Sequence, residues 1–151
     1  MKIEIIAIGK MTDKAQKSIA EDYLKRLKNI KIIEIPVKNN FSDNPTLTKK
    51  YECEQISKYI QGKTLISMSE EGEQFDSKQF ANFIENTYQI QQKTIAFIIG
   101  GASGLDLELK KQCHRIISLG KMTFPHMIAR IILIEQIYRA NTILQGHPYH
   151  K

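Results

Sequence analysis

The stretch TIAFII, residues 94–99, decides the fold. Five apolar side chains follow one another without alternation, and such a strand needs cover on both faces, as in the centre of a parallel sheet. It runs straight into GGASGL (100–105), a turn sequence, and then into DLELKKQC (106–113), a short helix. Strand, turn and helix in immediate succession form the repeating unit of an α/β protein.

Working outward, the same unit recurs. KIEIIAI (2–8) is a buried strand, and TDKAQKSIAEDYLKRL (12–27) carries Ala15, Ile19, Tyr23 and Leu27 at a helical spacing of four. KIIEIPV (31–37) is a second strand, followed by the polar stretch KNNFSDNP (38–45), expected to be a mobile loop. A helix at about 46–61 has Leu47, Tyr51, Ile56 and Ile60 as its expected buried face and Gly62 as its stop. KTLISMS (63–69) is a third strand and EEGEQFDS reads as a turn, after which Asp76 or Ser77 caps a helix with Phe80, Phe83, Ile84 and Tyr88 on one side. Downstream, RIISL (115–119) is a fifth strand, and Met127 to Leu144 forms the last helix. The class is therefore α/β, a parallel sheet with helices on both faces, in one domain spanning 1–151 and without internal repeats.

Composition narrows the function. With 151 residues and 42% hydrophobic residues the chain fills a single core. No apolar run approaches a membrane span, and Glu4 inside MKIEIIAIGK, with no small-residue cleavage site, argues against a signal peptide, so a cytoplasmic location is expected. Cys53 and Cys113 lack the close spacing of metal sites or redox dithiols and are expected to be free, half-buried thiols. The net charge of +6 is concentrated at the two ends: residues 1–50 hold 11 basic and 6 acidic side chains, 51–100 hold 4 and 7, and 101–151 hold 7 and 3. That distribution is compatible with a polyanion such as RNA, and equally with a lysine-rich surface of no special purpose.

Ligands of parallel sheets bind beyond the carboxyl ends of strands, so three junctions matter: Met68 to Gly72, Gly100 to Leu105 and Leu119 to His126. In the second, Gly100 and Gly101 allow close approach of a ligand to the backbone, although adjacent glycines also mark a simple tight turn. It is neither a dinucleotide fingerprint nor a P-loop, because the glycine order is wrong and no Gly-Lys-Ser/Thr follows. In the third, SLGKMTFPH (118–126), Leu119, Met122 and Phe124 are apolar where a loop should be polar. They suit a flat heterocycle such as adenine, gripped on its faces by side chains and on its edge by main-chain groups, or they plug the top of the core.

The last helix is apolar nearly all round from Met127 to Ile134, interrupted only by Arg130, and a helix of that kind must be covered on all sides. A second copy of the chain would supply the cover, which makes a homodimer the expectation. Glu135 and Arg139 stand at i, i+4 and read as an ordinary helix ion pair. HPYHK closes the chain, and its His147, Tyr149 and His150 are able to move protons or bind phosphate, or else form a solvated terminus. No metal is expected, since the histidines lack acidic or cysteine companions.

IIGGASGL, SLGKMTFPH, LIEQIYRA and the terminal HPYHK, in that order, resemble the small bacterial SPOUT-class methyltransferases that act on a pseudouridine of 23S ribosomal RNA. IIAIGK and EDYLKRL extend the resemblance over the full length; Cys53 stands where that family usually has glycine, Gly120 where serine is frequent, and the 38–45 loop is short. The resemblance implies a deep trefoil knot near the C-terminus, a homodimer, and S-adenosylmethionine held by Met68, Gly100, Leu119, Gly120, Lys121, Met122, Thr123 and Phe124. It implies methylation of N3 of pseudouridine-1915 in assembled 70S ribosomes, with Arg139, His147, Tyr149 and His150 as the candidate catalytic residues and no metal. Two other classes remain at this point. A nucleotide-dependent dehydrogenase would need an acidic ribose-binding residue and a second domain, and a non-catalytic ribosome-binding protein would leave the three junctions without a ligand.

Overall fold

The computed structural model describes residues 1–37 and 44–150. The TIAFII segment forms β4 (Ile95–Ile99), every residue of it buried, and it occupies the middle of a five-stranded sheet. Its neighbours are β1 (Ile3–Ile8) and β3 (Thr64–Gln74), with β2 (Ile30–Ile35) and β5 (Arg115–Ser118) at the edges, in the order β2-β1-β4-β3-β5. All pairings are parallel, so the carboxyl ends of the strands gather at one end of the sheet.

Five helices cover the two faces: α1 (Lys14–Leu24), α2 (Pro45–Ser57), α3 (Ser77–Gln91), α4 (Leu107–Gln112) and α5 (His126–Leu144). On one face Ile5, Ile66 and Phe97 pack with Ala20 of α1, Phe80 and Ile84 of α3, and Leu133, Ile134 and Ile137 of α5. On the other, Ile6, Ile8 and Ile98 pack with Ile56 of α2 and Leu109 of α4. Helices on both faces are what the uninterrupted apolar strands require. Among the described residues no helix is long and apolar enough to cross a membrane.

Three local expectations need correction. Along α1 a strict spacing of four overshoots each turn by about 40°, so Ala15 and Ile19 rotate out, Ile19 being 49% exposed, while Ala20 is buried and Tyr23, Leu24 and Leu27 pack against the core. In α2, Leu47 and Ile56 are nine residues apart, about two and a half turns, and cannot share a face: Leu47 is 46% exposed while Glu52 and Ile56 are buried. The helix ends at Ser57, so Gly62 belongs to the turn before β3, where its φ is +72°. Most of the 38–45 loop lies outside the described residues; Asn44 accepts from the Leu47 N–H as the N-cap of α2, and Pro45 opens the helix.

EEGEQ is no turn but the continuation of β3, because β5 offers it a ladder beyond the point where β4 ends. Met68 and Glu73 both pair with Ile117, so residues 69–72 bulge out between them. At the bulge Gly72 lies so close to β5 that a Cβ would come within 2.6 Å of the Ile117 backbone. No other residue fits there.

Candidate functional site

The carboxyl ends of β3, β4 and β5 enclose a cleft of about 680 Å³, a size suited to a small organic ligand. Met68, Gly100, Leu119, Gly120, Met122, Thr123 and Phe124 all line it, so the three junctions meet in one place. Lys121 is exposed and does not line the cleft. Gly120 has φ +147°, and the Ser118 hydroxyl accepts from its N–H at 3.0 Å and donates to its carbonyl at 2.7 Å. This closed local turn turns Leu119 and Met122 aside from the core, and Met122 is 74% exposed. The cleft is thus apolar on the Leu119–Phe124 side. On the other side Lys110 donates to Ser69 at 3.3 Å and to Glu71 at 2.5 Å, and Thr123 donates to Glu70 at 2.5 Å. Pairing with Lys110 holds the Glu71 carboxyl below its ordinary range.

The Gly100–Gly101 wall has a support that the sequence did not advertise. Glu52 of α2, only 6% exposed, accepts from the Gly101 N–H at 3.2 Å, and burial pushes its carboxyl up while that hydrogen bond opposes the shift. A Cβ on Gly101 would stand 2.5 Å from Glu52 Oε1, so a larger residue there would have to push the carboxylate aside. Glu52, Glu70 and Lys110 were hidden because each sits in a segment that reads as an ordinary polar helix face or turn.

His126, the first residue of α5, also lines the cleft. Its Nε2 would lie 3.5 Å from a Cβ on Gly9, so the ring packs against the end of β1. One turn on, Arg130, 1% exposed, donates to Glu34 at 2.7 Å and to the carbonyls of Ile8 and Gly9 at 3.1 and 2.9 Å. Burial, and secondarily the Arg130 charge, lower the His126 pKa from its ordinary value. The imidazole is therefore neutral at pH 7. A group with a depressed folded-state value contributes stability above its unfolded value of 6.5 that is lost as pH falls below it. An NMR titration of the four histidines should find His126 with a midpoint below 6.5, and His126→Gln should flatten the acid side of the stability profile. A midpoint at or above 6.5 would contradict the packing described.

The tail folds back on α5. Glu135 Oε1 accepts from Arg139 Nε at 3.0 Å, from Arg139 Nη2 at 2.6 Å and from the Tyr149 hydroxyl at 3.2 Å. Arg139 lies over the Tyr149 ring at 4.8 Å and reaches His150 Nδ1 at 3.4 Å. A hydrogen bond with Tyr23, burial and the Glu135 charge push the Tyr149 phenol up to about 12, so it stays protonated at neutral pH. Arg139, Tyr149 and His150 are thus brought together, and Glu135, which reads in sequence as half of a helix ion pair, anchors them. His147 stands apart: its backbone N–H donates to the Thr142 carbonyl at the end of α5, and its exposed ring accepts from the Tyr149 N–H at 3.3 Å. The cluster is also separate from the cleft of the same chain, since Arg139 lies ten residues beyond the cleft-lining Ala129, about 15 Å along the helix axis.

A five-stranded parallel sheet with a ligand-sized cleft at its carboxyl edge, roofed by the loop between the last strand and the last helix, is the α/β arrangement that holds a small ligand at its strand ends. The family model described as "Predicted SPOUT methyltransferase" matches residues 1–150, and the chain belongs to that family. Its implied methyl donor is S-adenosylmethionine. Relatives named ribosomal RNA large subunit methyltransferase H occur in Acholeplasma laidlawii, 37% identical over 153 residues, and in Streptococcus pyogenes serotype M12, 39% identical over 160 residues, each alignment covering 100% of both chains. In fold the chain is similar to a probable methyltransferase from Bordetella pertussis, with TM-score 0.61 and 12% identity over 92% of this chain and 95% of that one. A probable methylase family protein from Haemophilus influenzae gives TM-score 0.56 and 12% identity over 95% of this chain and 66% of that one.

The residues present fit such a cofactor. Apolar Leu119, Met122 and Phe124 offer contact for an adenine ring, while Lys110 and Glu71 offer opposite charges to an amino-acid end, which carries both.

Proposed function

We propose that this protein methylates N3 of a pseudouridine in 23S ribosomal RNA within assembled 70S ribosomes, in the cytoplasm, as a homodimer without a metal. The reading rests chiefly on the convergence of three strand ends on one cleft in a chain whose full-length relatives are named for ribosomal RNA methylation. Met68, Gly100 and Leu119 to Phe124 hold the cofactor, with Lys121 at the rim, and a deep trefoil knot lies near the C-terminus. When bound, S-adenosylmethionine supplies an electrophilic methyl group.

The chain's own task is to place the nitrogen in line with that methyl and to ease loss of its proton, as the N–C bond forms and the C–S bond breaks. The Arg139 guanidinium, held over the ring of Tyr149, whose hydroxyl donates to Glu135, offsets the negative charge that N3 develops as its proton leaves. His150, beside Arg139, and His147 complete the groups able to move protons there.

The distance between tail cluster and cleft within one chain supports a site shared between two copies. Along α5, Ile128 and Ile132 are half-exposed and lie outside both core clusters, in a stripe that continues to Glu135 and Arg139. A second copy seated on that stripe would bring its tail to the cleft. Arg139→Ala and Gly101→Leu are each expected to be inactive alone. Mixing the two after dissociation and reassociation should restore turnover, because a heterodimer holds one site with an intact cleft and an intact tail. Absence of complementation would place each site within a single chain.

A further inference from the structure

The end of the sheet opposite the cofactor cleft carries a basic edge that nothing above employs. Three segments meet there: Ile3 N–H donates to the Asn29 carbonyl at 3.0 Å, and Ile95 N–H donates to the Lys2 carbonyl at 3.1 Å. Lys2, Arg26, Lys28, Lys31 and Lys93 are exposed along it. Of the nearby acids, Glu4 is taken by Lys63 and Asp22 lies 3.6 Å from Lys25. Among the described residues no carboxylate lies within 4.0 Å of those five cations.

The edge also has a shape. Asn29, at φ +63°, makes a tight turn between α1 and β2, and beside it lies a cleft of about 400 Å³. Arg26, Lys28, Asn29, Asn141 and Gln145 supply its polar lining, and no acidic side chain lines it. Cations and amides that donate hydrogen bonds, without a carboxylate among them, suit phosphodiester oxygens. A row of rings and cations leads away from it: the Arg26 guanidinium stands 5.8 Å from the Tyr138 ring centre, Tyr138 meets Tyr149 edge-on at 4.8 Å, and Arg139 covers Tyr149. Tyr138 is buried beneath this row, so the cations at its two ends, Arg26 and Arg139, are the groups that a strand passing over it would meet.

We infer that this edge, centred on Arg26 and Lys28, is a docking surface for the RNA backbone, which guides a strand toward the tail cluster. The inference rests on the RNA substrate proposed above and adds to it where the phosphates are held. Ribosome binding measured directly, by co-sedimentation across a salt series, tests it without needing turnover. Arg26→Gln/Lys28→Gln should weaken binding at least tenfold and flatten the slope of log affinity against log salt by about two, one for each lost phosphate contact. Affinity for S-adenosylhomocysteine should stay unchanged. Lys14→Gln/Lys17→Gln removes the same charge from the first turns of α1, at the other end of the sheet, and should change ribosome binding little. Wild-type binding in the edge variant, an equal loss in the control, or no binding by the wild-type protein would overturn the assignment. Edge-dependent binding by a protein that neither holds S-adenosylhomocysteine nor transfers methyl would uphold the surface while removing the enzymatic reading.

Discussion

Arg130→Met should lower the free energy of unfolding by about 3 kcal/mol. The guanidinium is almost fully buried and is shared among Glu34 and the carbonyls of Ile8 and Gly9. Methionine fills much of the space but donates nothing, so two carbonyls at the end of β1 lose their partner and Glu34 loses its countercharge. Breaking a buried pair from one side costs about 3–5 kcal/mol, and the lower figure applies because the Glu34 side chain is 33% exposed. For a chain of this length the melting temperature should fall by about 10 °C. Arg130→Lys should fall between, since an ammonium keeps the charge but cannot present the planar fork that spans three acceptors. Urea denaturation of the three proteins measures this, and a loss below about 1 kcal/mol in Arg130→Met would show that the network contributes little.

Glu135→Ala should reduce turnover at saturating substrates by about a hundredfold or more while leaving S-adenosylhomocysteine binding intact. The carboxylate holds Arg139 through two hydrogen bonds and Tyr149 through a third, and its other oxygen accepts from Gln136 at 2.7 Å. Without it the two side chains regain rotamer freedom, and the tail loses the contact that folds it against α5. Glu135→Gln keeps one acceptor oxygen but gives up the charge, so it should retain part of the rate. Because Glu135 lies away from the cleft of its own chain, a separation of turnover from cofactor affinity is the mark of a positioning role. Equal loss of both would mean that the substitution damages the fold.

The central features of the architecture were legible because they depend on local pattern. TIAFII could only be a doubly covered strand, and the alternation of strands with helices gave the class and the two-sided sheet. Helix faces were less legible: a spacing of four looks helical whether or not it faces the core, which is why Ile19 and Leu47 were misplaced. EEGEQ looked like a turn because its charges masked a ladder that only β5, more than forty residues later, provides. At the site, the Leu119–Phe124 loop announced itself through apolar residues in the wrong setting. Glu52 did not, because a glutamate on a polar helix carries no sign that a glycine from another element will close over it. The tail cluster was half legible: the residue types pointed to chemistry, but Glu135 as its anchor, and His147 as the member left out, follow only from how the tail folds back.

The most direct test is transfer of labelled methyl from S-adenosylmethionine to intact ribosomes that lack the modification, followed by mapping of the labelled nucleotide. Label is expected on N3 of a single pseudouridine of 23S ribosomal RNA, and none when Arg139→Ala replaces the wild-type protein. Label on a different atom or nucleotide, or ribosomes left unlabelled by a protein that binds S-adenosylhomocysteine, would contradict the proposed substrate.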